Sequence, residues 1–443
     1  MPRAAPGGPH TIPEQPSAPA RVALSAAIVL VIVEAISLVR RGAAGVSDIS
    51  VFYRTCELLR SGVRAIYPRA DTGTGWPISM PPLGFAMFQP FSWFGPLGSS
   101  VGWAAFNLAL LAISVVILRR VLQRTGDARY ERAWPWAAVL LLVLAAASVQ
   151  VGQFSVLFVT CWLLFMDWFG RDRRASAAFW LALPAAIKIY PLGLIAVPLS
   201  MDLQRGITAP AVTIRAAARY VGWTVVAIVV LWIVVPGIPY GRDTLALNVS
   251  WWRGVILNNA QMDYLQSLRA ITNQSLDTVL LRYLSYDPAF HDYYAWIPHL
   301  SFAKATVLRL ANVARLIIIA ASAIAVWRGA QRGGAELVPV TALWVATLYN
   351  VVPETKARYA VYTFIAFLPW LARAVDPVRS RAQRAVTIGV IVGAAICALV
   401  FLPEVAQAWG VGFAGPIVLW IGNVRLVQRG ATQLKFDASS MLP

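Results

Sequence analysis

The chain has 443 residues, of which 58% are hydrophobic and only 13% are charged, and its mean hydropathy is +0.64. Soluble globular proteins carry about 25% charged residues, so this chain has too few polar side chains to cover water-exposed domains. Its 18 Trp, 14 Tyr and 18 Phe also exclude a disordered chain. The composition excludes a soluble enzyme and predicts an all-α polytopic membrane protein.

The formal net charge is +18, which by itself would also suit a nucleic-acid-binding protein. The basic residues are spread between apolar runs rather than gathered in one patch, a pattern that indicates membrane topology. We therefore expect no nucleic-acid partner. The three Cys provide neither a disulfide framework nor a metal-ligand spacing.

Apolar runs divide the chain into predicted membrane-spanning helices between two tails. Residues 1–20 are predicted to form a flexible cytosolic tail, and residues 429–443 a second one. About ten full spans are predicted, at residues 22–39, 101–118, 134–149, 155–170, 217–236, 312–327, 337–353, 359–375, 385–402 and 411–427.

Residues 175–200 form a further apolar run that polar and helix-breaking residues interrupt near its middle. Lys188 would lie at membrane depth, and Pro191 would lie inside a helix. Two short half-helices that meet at these residues avoid both costs. The sequence therefore predicts a broken, re-entrant pair with both ends on the same side of the membrane.

The distribution of Lys and Arg predicts the orientation of the chain. With both termini in the cytosol, the short cytosolic loops carry the excess of basic residues. An N-terminal module, residues 21–236, and a C-terminal module, residues 312–428, are then separated by a large external loop at 237–311. A second external segment lies at residues 40–100. Because the long segments are all external, we expect the chemistry to be extracytoplasmic.

The first external segment begins with Asp48 and continues as an amphipathic stretch. Its apolar residues repeat at helical spacing, which predicts an interfacial helix. Asp48 at its start has two compatible interpretations. It is either an N-cap, whose carboxylate accepts backbone N–H bonds, or a general base held at the membrane surface.

Three cations lie near predicted membrane boundaries. Lys188 at the helix break needs an anion, and a phosphate is one candidate, while a carboxylate partner or snorkelling is the alternative. Lys356 and Arg358 follow a later span and would neutralise a lipid phosphate, although interfacial anchors have the same pattern. We predict that all three bind a donor phosphate.

Polar amides occur in two external turns. Gln153, between the third and fourth spans, suits either helix capping or a sugar hydroxyl. The large loop combines aromatic and amide side chains that form either a carbohydrate-binding surface or a folded loop resting on the membrane. Its candidate residues are Trp251, Trp252, Asn258, Asn259, Asp263, Arg269, Asn273, Gln274 and Ser275.

Several of these motifs recur, in order, in a known family. They are Asp48 with Val51-Phe52-Tyr53, Gly62 and Tyr67, Met80-Pro81-Pro82, Gly152-Gln153, Lys188 to Pro191, and Asn273-Gln274-Ser275. Together they resemble glycosyltransferase family 87 of the GT-C superfamily over most of residues 45–360. The chain departs from the family pattern at Met80, where Tyr is usual, and at Ser155, where Asn is usual. It also departs at residues 354–359, where a Trp/His/Tyr cluster is frequent.

The resemblance implies a GT-C-like fold and a polyprenyl-phosphate sugar donor, usually of mannose or arabinofuranose. It implies transfer to a glycan or glycolipid on the extracytoplasmic face, with the Asp after the first span, here Asp48, as general base. We predict contacts to the sugar or the acceptor from five residues, Tyr53, Gln153, Asn273, Gln274 and Tyr359. The donor is a substrate, so we expect no cofactor and no metal site, and metal dependence stays open.

The predicted function is therefore an inverting membrane glycosyltransferase of the bacterial plasma membrane, working among membrane lipids on a lipid-linked donor. A secondary transporter or a lipid-linked-sugar flippase is the alternative, because broken helices with a buried cation also occur in transporters. The one-sided external segments and the acid at the start of an interfacial helix favour the enzyme.

Overall fold

The structure is a computed structural model that describes residues 16–67, 78–206, 210–257, 271–332, 336–352, 354–399 and 402–439. This part of the chain contains helices and no strand. Four residues of the predicted carbohydrate surface lie outside it, namely Asn258, Asn259, Asp263 and Arg269. The all-α prediction is confirmed.

The helices follow one another through short connections. The first nine are α1 (Ala18–Ala43), α2 (Asp48–Arg60), α3 (Pro82–Ser92), α4 (Gly95–Gln123), α5 (Ala128–Val151), α6 (Ser155–Gly170), α7 (Arg174–Ile187), α8 (Ala196–Gly206) and α9 (Pro210–Tyr240). The others are α10 (Thr244–Trp251), α11 (Leu276–Leu284), α12 (Pro288–His291), α13 (Lys304–Gln331), α14 (Leu337–Val351), α15 (Phe364–Ala374), α16 (Arg381–Leu399), α17 (Glu404–Ala408) and α18 (Ala414–Ser439). Segments of 3₁₀-helix occur at Tyr190–Ile195, Gly241–Asp243, Ala357–Thr363 and Val411–Phe413, and a π-helical segment at Trp252–Leu257.

Seven helical stretches in the described part are long and apolar enough to cross a membrane, where we predicted about ten. They are Ala18–Ala43, Gly95–Gln123, Ala128–Val151, Ile214–Leu257, Lys304–Gln331, Arg381–Leu399 and Val411–Arg429. The other three predicted spans correspond to α6, α14 and α15, which are shorter helices. Because most of their residues are buried against other helices, their length need not match the thickness of the lipid.

Both ends of the described chain are more helical than predicted. α1 begins at Ala18, inside the predicted N-terminal tail, and α18 extends to Ser439, inside the predicted C-terminal tail. The length of an apolar run predicts the core of a membrane span. It does not predict where the polar residues on either side of that core stop being helical.

The predicted break at Lys188 is confirmed. α7 ends at Ile187, and Lys188 is extended with φ −140° and ψ 129°. The chain then continues through the 3₁₀ segment that contains Pro191 into α8. An ion pair of 3.0 Å joins Arg174, at the start of α7, to Asp202, near the end of α8. The two ends of the broken pair therefore lie together, as a re-entrant hairpin requires.

The predicted amphipathic helix is α2. Its apolar residues, including Phe52, Cys56 and Leu59, are buried, and the helix packs against α3. Residue Ser47 occupies the N-cap, and its backbone N–H donates to the Ser50 hydroxyl at 3.4 Å. The capping role that we considered for Asp48 is therefore taken by the preceding residue, and Asp48 is the first residue of the helix.

Candidate active site

Four segments that are distant in sequence meet at one end of the helices. They are the start of α2 with Asp48, the α5–α6 turn with Gln153, the α7 break with Lys188, and the segment after α14 with residues 354–358. We call this the site end. Its charged members, Asp48, Lys188, Glu354, Lys356 and Arg358, are called the charge cluster.

Asp48 is held by two side chains from other segments. Its Oδ2 accepts a hydrogen bond from Gln153 Nε2 and another, of 3.2 Å, from Arg358 Nη1. The carboxylate is 15% exposed. Asp48 is thus a fixed carboxylate with limited access to solvent, and Gln153 is its immediate neighbour.

The α5–α6 turn fixes the position of Gln153 relative to Asp48. Gly152 has φ +78°, in the left-handed region that favours glycine. A Cβ at this position would overlap the Cγ1 of Ile49, the residue after Asp48. The carbonyl of Gly152 accepts a 2.8 Å hydrogen bond from Trp103 Nε1. The close approach of turn and helix therefore depends on glycine.

Glu354 is the second carboxylate of the charge cluster, and sequence reasoning assigned it no role. Its Oε1 accepts from Lys356 at 2.7 Å and from Arg358 at 3.0 Å, while its Oε2 accepts from the Tyr359 hydroxyl at 3.2 Å. Burial alone raises the pKa of Glu354, but Arg358, Lys356 and Lys188 outweigh it and lower this pKa to about 2. Glu354 is therefore ionised throughout the physiological range.

Lys188 joins the same network from the helix break. Its Nζ donates to the Tyr359 hydroxyl at 3.2 Å and lies 4.4 Å from the centre of the Tyr359 ring. Asp48, Glu354, Lys356 and Arg358 all lie within its electrostatic range. The structure thus brings together all three cations that we predicted to bind phosphate.

The charge cluster is partly buried, and its described members carry more positive than negative charge. Lys356 and Arg358 are only 12% and 17% exposed. Among the residues that the structure describes, three cations face two carboxylates, which gives these five side chains a formal charge of +1. Such a site favours a singly charged anion, because the anion would both neutralise the excess and replace lost hydration.

Two buried polar atoms in the same segment make no hydrogen bond within the described residues. They are Nε of Arg358 and Oγ1 of Thr355. A buried donor without a partner costs about 1–3 kcal/mol, and native proteins keep few of them. The unpaired guanidinium N–H is a donor suited to an anionic oxygen of a ligand.

Asn273 and Gln274 hold this segment in place rather than facing an open surface. The backbone N–H of Thr355 donates to Asn273 Oδ1 at 3.0 Å, and the backbone N–H of Gln274 donates to the Thr355 carbonyl at 2.9 Å. Both amide side chains are buried. The side chain of Gln274 also bonds to the backbone of Gln407 and Gly412. Their contacts indicate a positioning role.

An aromatic stack lies beside the charge cluster. The rings of Tyr359 and Tyr362 are nearly parallel, with centroids 5.6 Å apart, and Tyr362 stacks in turn on Phe158. Ser155, which stands where the family pattern has Asn, donates to the Tyr362 hydroxyl at 3.0 Å. The hydroxyl of Tyr359 therefore contacts both Lys188 and Glu354, and its ring is held in place by stacking on Tyr362.

Tyr53 lies apart from this network in the described structure. Its hydroxyl donates to Glu57 at 2.7 Å. Tyr53 lines a cleft of about 420 Å³ together with Arg54, Glu57 and Pro96, between α2, the end of α1 and the start of α4. Across the described ranges, no group of three or more His, Cys, Asp or Glu is arranged to hold a metal ion.

Comparison with known proteins gives the family. The sequence model of glycosyltransferase family 87 matches residues 80–353, and the comparison with curated proteins finds no match. The matched region includes Gln153, Lys188, Asn273 and Gln274, while Asp48 and residues 354–358 lie outside it. Since the match covers more than half of the chain, and the chain has several helices long enough to cross a membrane, it belongs to glycosyltransferase family 87 and is a multi-pass membrane glycosyltransferase.

Proposed function

We propose that this glycosyltransferase moves a sugar, mannose or arabinofuranose, from a polyprenyl-phosphate donor to a hydroxyl of a glycan or glycolipid. The observation that carries the proposal is the partly buried charge cluster. Its described members have excess positive charge, and Arg358, which pairs with Asp48, has an N–H without a partner among the described residues. A nucleotide-sugar donor would bring two phosphates and a base to a site at the end of apolar helices. A lipid phosphodiester brings one negative charge and an apolar chain.

Donor binding would use the three cations. The phosphodiester carries one negative charge, which equals the formal excess of the cluster. Lys356 and Arg358 are held by Glu354 before any ligand arrives, so both cations are already in place when the donor binds. Preorganised charge in a site with little water stabilises a developing anion more strongly than hydrated charge does.

The reaction is a single displacement at the anomeric carbon. Asp48 takes the proton of the acceptor hydroxyl. At the same time the oxygen of that hydroxyl bonds to the anomeric carbon, and the bond from that carbon to the phosphate oxygen breaks. The electron pair goes to the leaving polyprenyl phosphate, and the configuration inverts. A positioned base contributes about 10²–10⁴-fold to such a step. Gln153 and Tyr359 remain our proposed contacts to the sugar or acceptor, and Tyr53 a more distant one.

We place the site end on the extracytoplasmic side of a bacterial plasma membrane. The support is the opposite end of the same helices, which carries Arg124, Arg129, Arg171 and Arg174 in short connections. Short cytosolic loops hold the excess of basic residues in membrane proteins.

A reconstitution experiment tests the proposal. Purified protein in proteoliposomes receives polyprenyl-phosphate mannose or arabinofuranose, radiolabelled in the sugar, and a glycolipid acceptor. We expect labelled acceptor and an equal amount of free polyprenyl phosphate. Movement of intact donor across the bilayer without cleavage would instead show a transporter or flippase and overturn the proposal.

A further inference from the structure

Glu354 occupies an unusual position in the charge cluster. Its two carboxylate oxygens accept hydrogen bonds from three donors, namely the ammonium of Lys356, the guanidinium of Arg358 and the hydroxyl of Tyr359. Through Tyr359 the network extends to Lys188. Each of these side chains is one that a phosphate group would use, because phosphate oxygens and carboxylate oxygens accept the same charge-assisted hydrogen bonds.

Glu354 also solves an electrostatic problem. Three cations gathered in a buried site repel one another, and without a close anion the cluster would be strongly destabilised. Asp48 contacts only Arg358 among these cations by a direct hydrogen bond of the described structure. Glu354 forms a 2.7 Å ion pair with Lys356 in the described structure.

We propose, on the basis of the proposed function, that the Glu354 carboxylate occupies the place of the donor phosphate. The phosphate of the lipid-linked sugar displaces it from Lys356 and Arg358 on binding. When the polyprenyl phosphate leaves, Glu354 returns to the same donors. Glu354 is thus a positioning residue that keeps the cations aligned and competes with the phosphate.

The competition has a role in product release. Transfer converts a phosphodiester with one negative charge into a phosphate monoester, whose charge is about −1.5 to −2 near neutral pH. The product therefore binds the cations more strongly than the donor did. Paired with Lys356 and Arg358, Glu354 is ionised, with a pKa of about 2. It competes with the product for the same cations and so weakens the product complex.

A binding experiment with a polyprenyl monophosphate tests the inference. The full-length protein in detergent micelles is titrated with the lipid phosphate, and affinity is measured directly and by the ligand-induced increase in melting temperature. We expect Glu354→Gln, which keeps the size and removes the charge, to bind about tenfold more tightly than the wild type. In turnover, the same variant shows a lower kcat and stronger inhibition by polyprenyl phosphate.

Two further variants keep the test decisive. Glu354→Asp retains the charge, but its side chain is shorter by one methylene. We expect this variant to bind the lipid phosphate more tightly than the wild type, by a smaller factor than Glu354→Gln. This measurement is possible even if Glu354→Gln fails to fold. Asp243→Asn removes a carboxylate from an exposed ion pair with Arg64, and its affinity should equal that of the wild type.

The outcomes separate this inference from the proposed function. If the wild type binds the lipid phosphate and the folded Glu354 variants bind it more weakly or equally, Glu354 is only a structural anchor and the inference is wrong. If neither the wild type nor any variant binds a polyprenyl phosphate, the proposed donor class is wrong as well.

Discussion

The two ends of the helices both carry carboxylates with arginine partners and little solvent exposure, but they differ in where the partners come from. At the opposite end, Asp167 pairs with Arg171, one helical turn away, and with Arg124 from the connection between α4 and α5. At the site end, Asp48 pairs with Arg358, 310 residues later in the chain. The ion pairs of Asp167 hold neighbouring helices together. The pair of Asp48 with Arg358 instead brings segments that are remote in sequence into one site.

The cations at the two ends also differ in hydration. Arg124 and Arg171 are 37% and 40% exposed, so water solvates their charge and their pairs contribute little net free energy. Lys356 and Arg358 are less than half as exposed. Buried cations act more strongly on a ligand and need an anion to balance them. The site end therefore suits an anionic ligand, whereas the ion pairs of the opposite end suit helix packing.

Removing the acid at each end should give opposite results. Asp48→Asn keeps the size of the side chain and removes the base, so we expect transfer to fall at least about 100-fold while the protein still folds. Initial rates with the radiolabelled donor and a melting curve in detergent measure the two effects. Activity near that of the wild type would remove Asp48 from the mechanism.

The matched variant is Asp167→Asn. It leaves two partly hydrated arginines without their carboxylate, and because solvent screens them we expect a loss of only about 1 kcal/mol of stability. Transfer per folded molecule should stay unchanged. A large loss of turnover in the folded protein would mean that the two ends are functionally coupled, and the comparison would fail.

The cations at the site end should matter next. Lys356→Ala combined with Arg358→Ala removes two partly buried charges that we assign to the leaving phosphate, so we expect kcat/KM for the donor to fall about 10- to 100-fold. The control is Arg64→Ala, which breaks an ion pair with Asp243 that is about 40% exposed. Equal kinetics for the double variant and the wild type would mean that Lys356 and Arg358 are interfacial anchors and do not bind the donor.

Much of the fold could be predicted from the sequence, because its signals are local. Apolar length located the spans, and the position of Lys188 and Pro191 located the helix break. The same reasoning found Asp48, Lys188, Lys356 and Arg358, since a charged residue beside an apolar run is conspicuous. The length of α6, α14 and α15 was not predictable in this way, because it depends on burial by other helices.

Contacts between remote segments could not be predicted. The sequence showed Glu354 only as one charge in a polar turn, and its three donors become visible only when that turn folds. Likewise, Asn273 and Gln274 had amide side chains suited to a sugar, and nothing local indicated that the backbone of Thr355 would use them. Gln153 was recognised as a hydrogen-bonding residue but not as the neighbour of Asp48.

A third prediction concerns the turn that places Gln153. Gly152→Ala puts a Cβ into a left-handed backbone and against Ile49, so the start of α2 must move away from the turn. We expect about a tenfold loss of transfer together with a lower melting temperature. Gly126→Ala is the matched control, because Gly126 also has positive φ but a Cβ there meets nothing within 4 Å. It should lower stability without the loss of turnover.

The smallest effect is expected at Tyr359, whose hydroxyl connects Lys188 with Glu354. Tyr359→Phe removes that hydroxyl and keeps the ring that stacks on Tyr362 and faces Lys188. One hydrogen-bonding group contributes about 0.5–1.5 kcal/mol, so the KM for the donor should rise about threefold with little change in kcat. Tyr349→Phe, in α14, serves as the control. A loss comparable to that of the Lys356 and Arg358 double variant would instead mean that the Tyr359 hydroxyl contacts the reacting atoms. Tyr359 would then belong with the donor-binding cations rather than with the residues that support them.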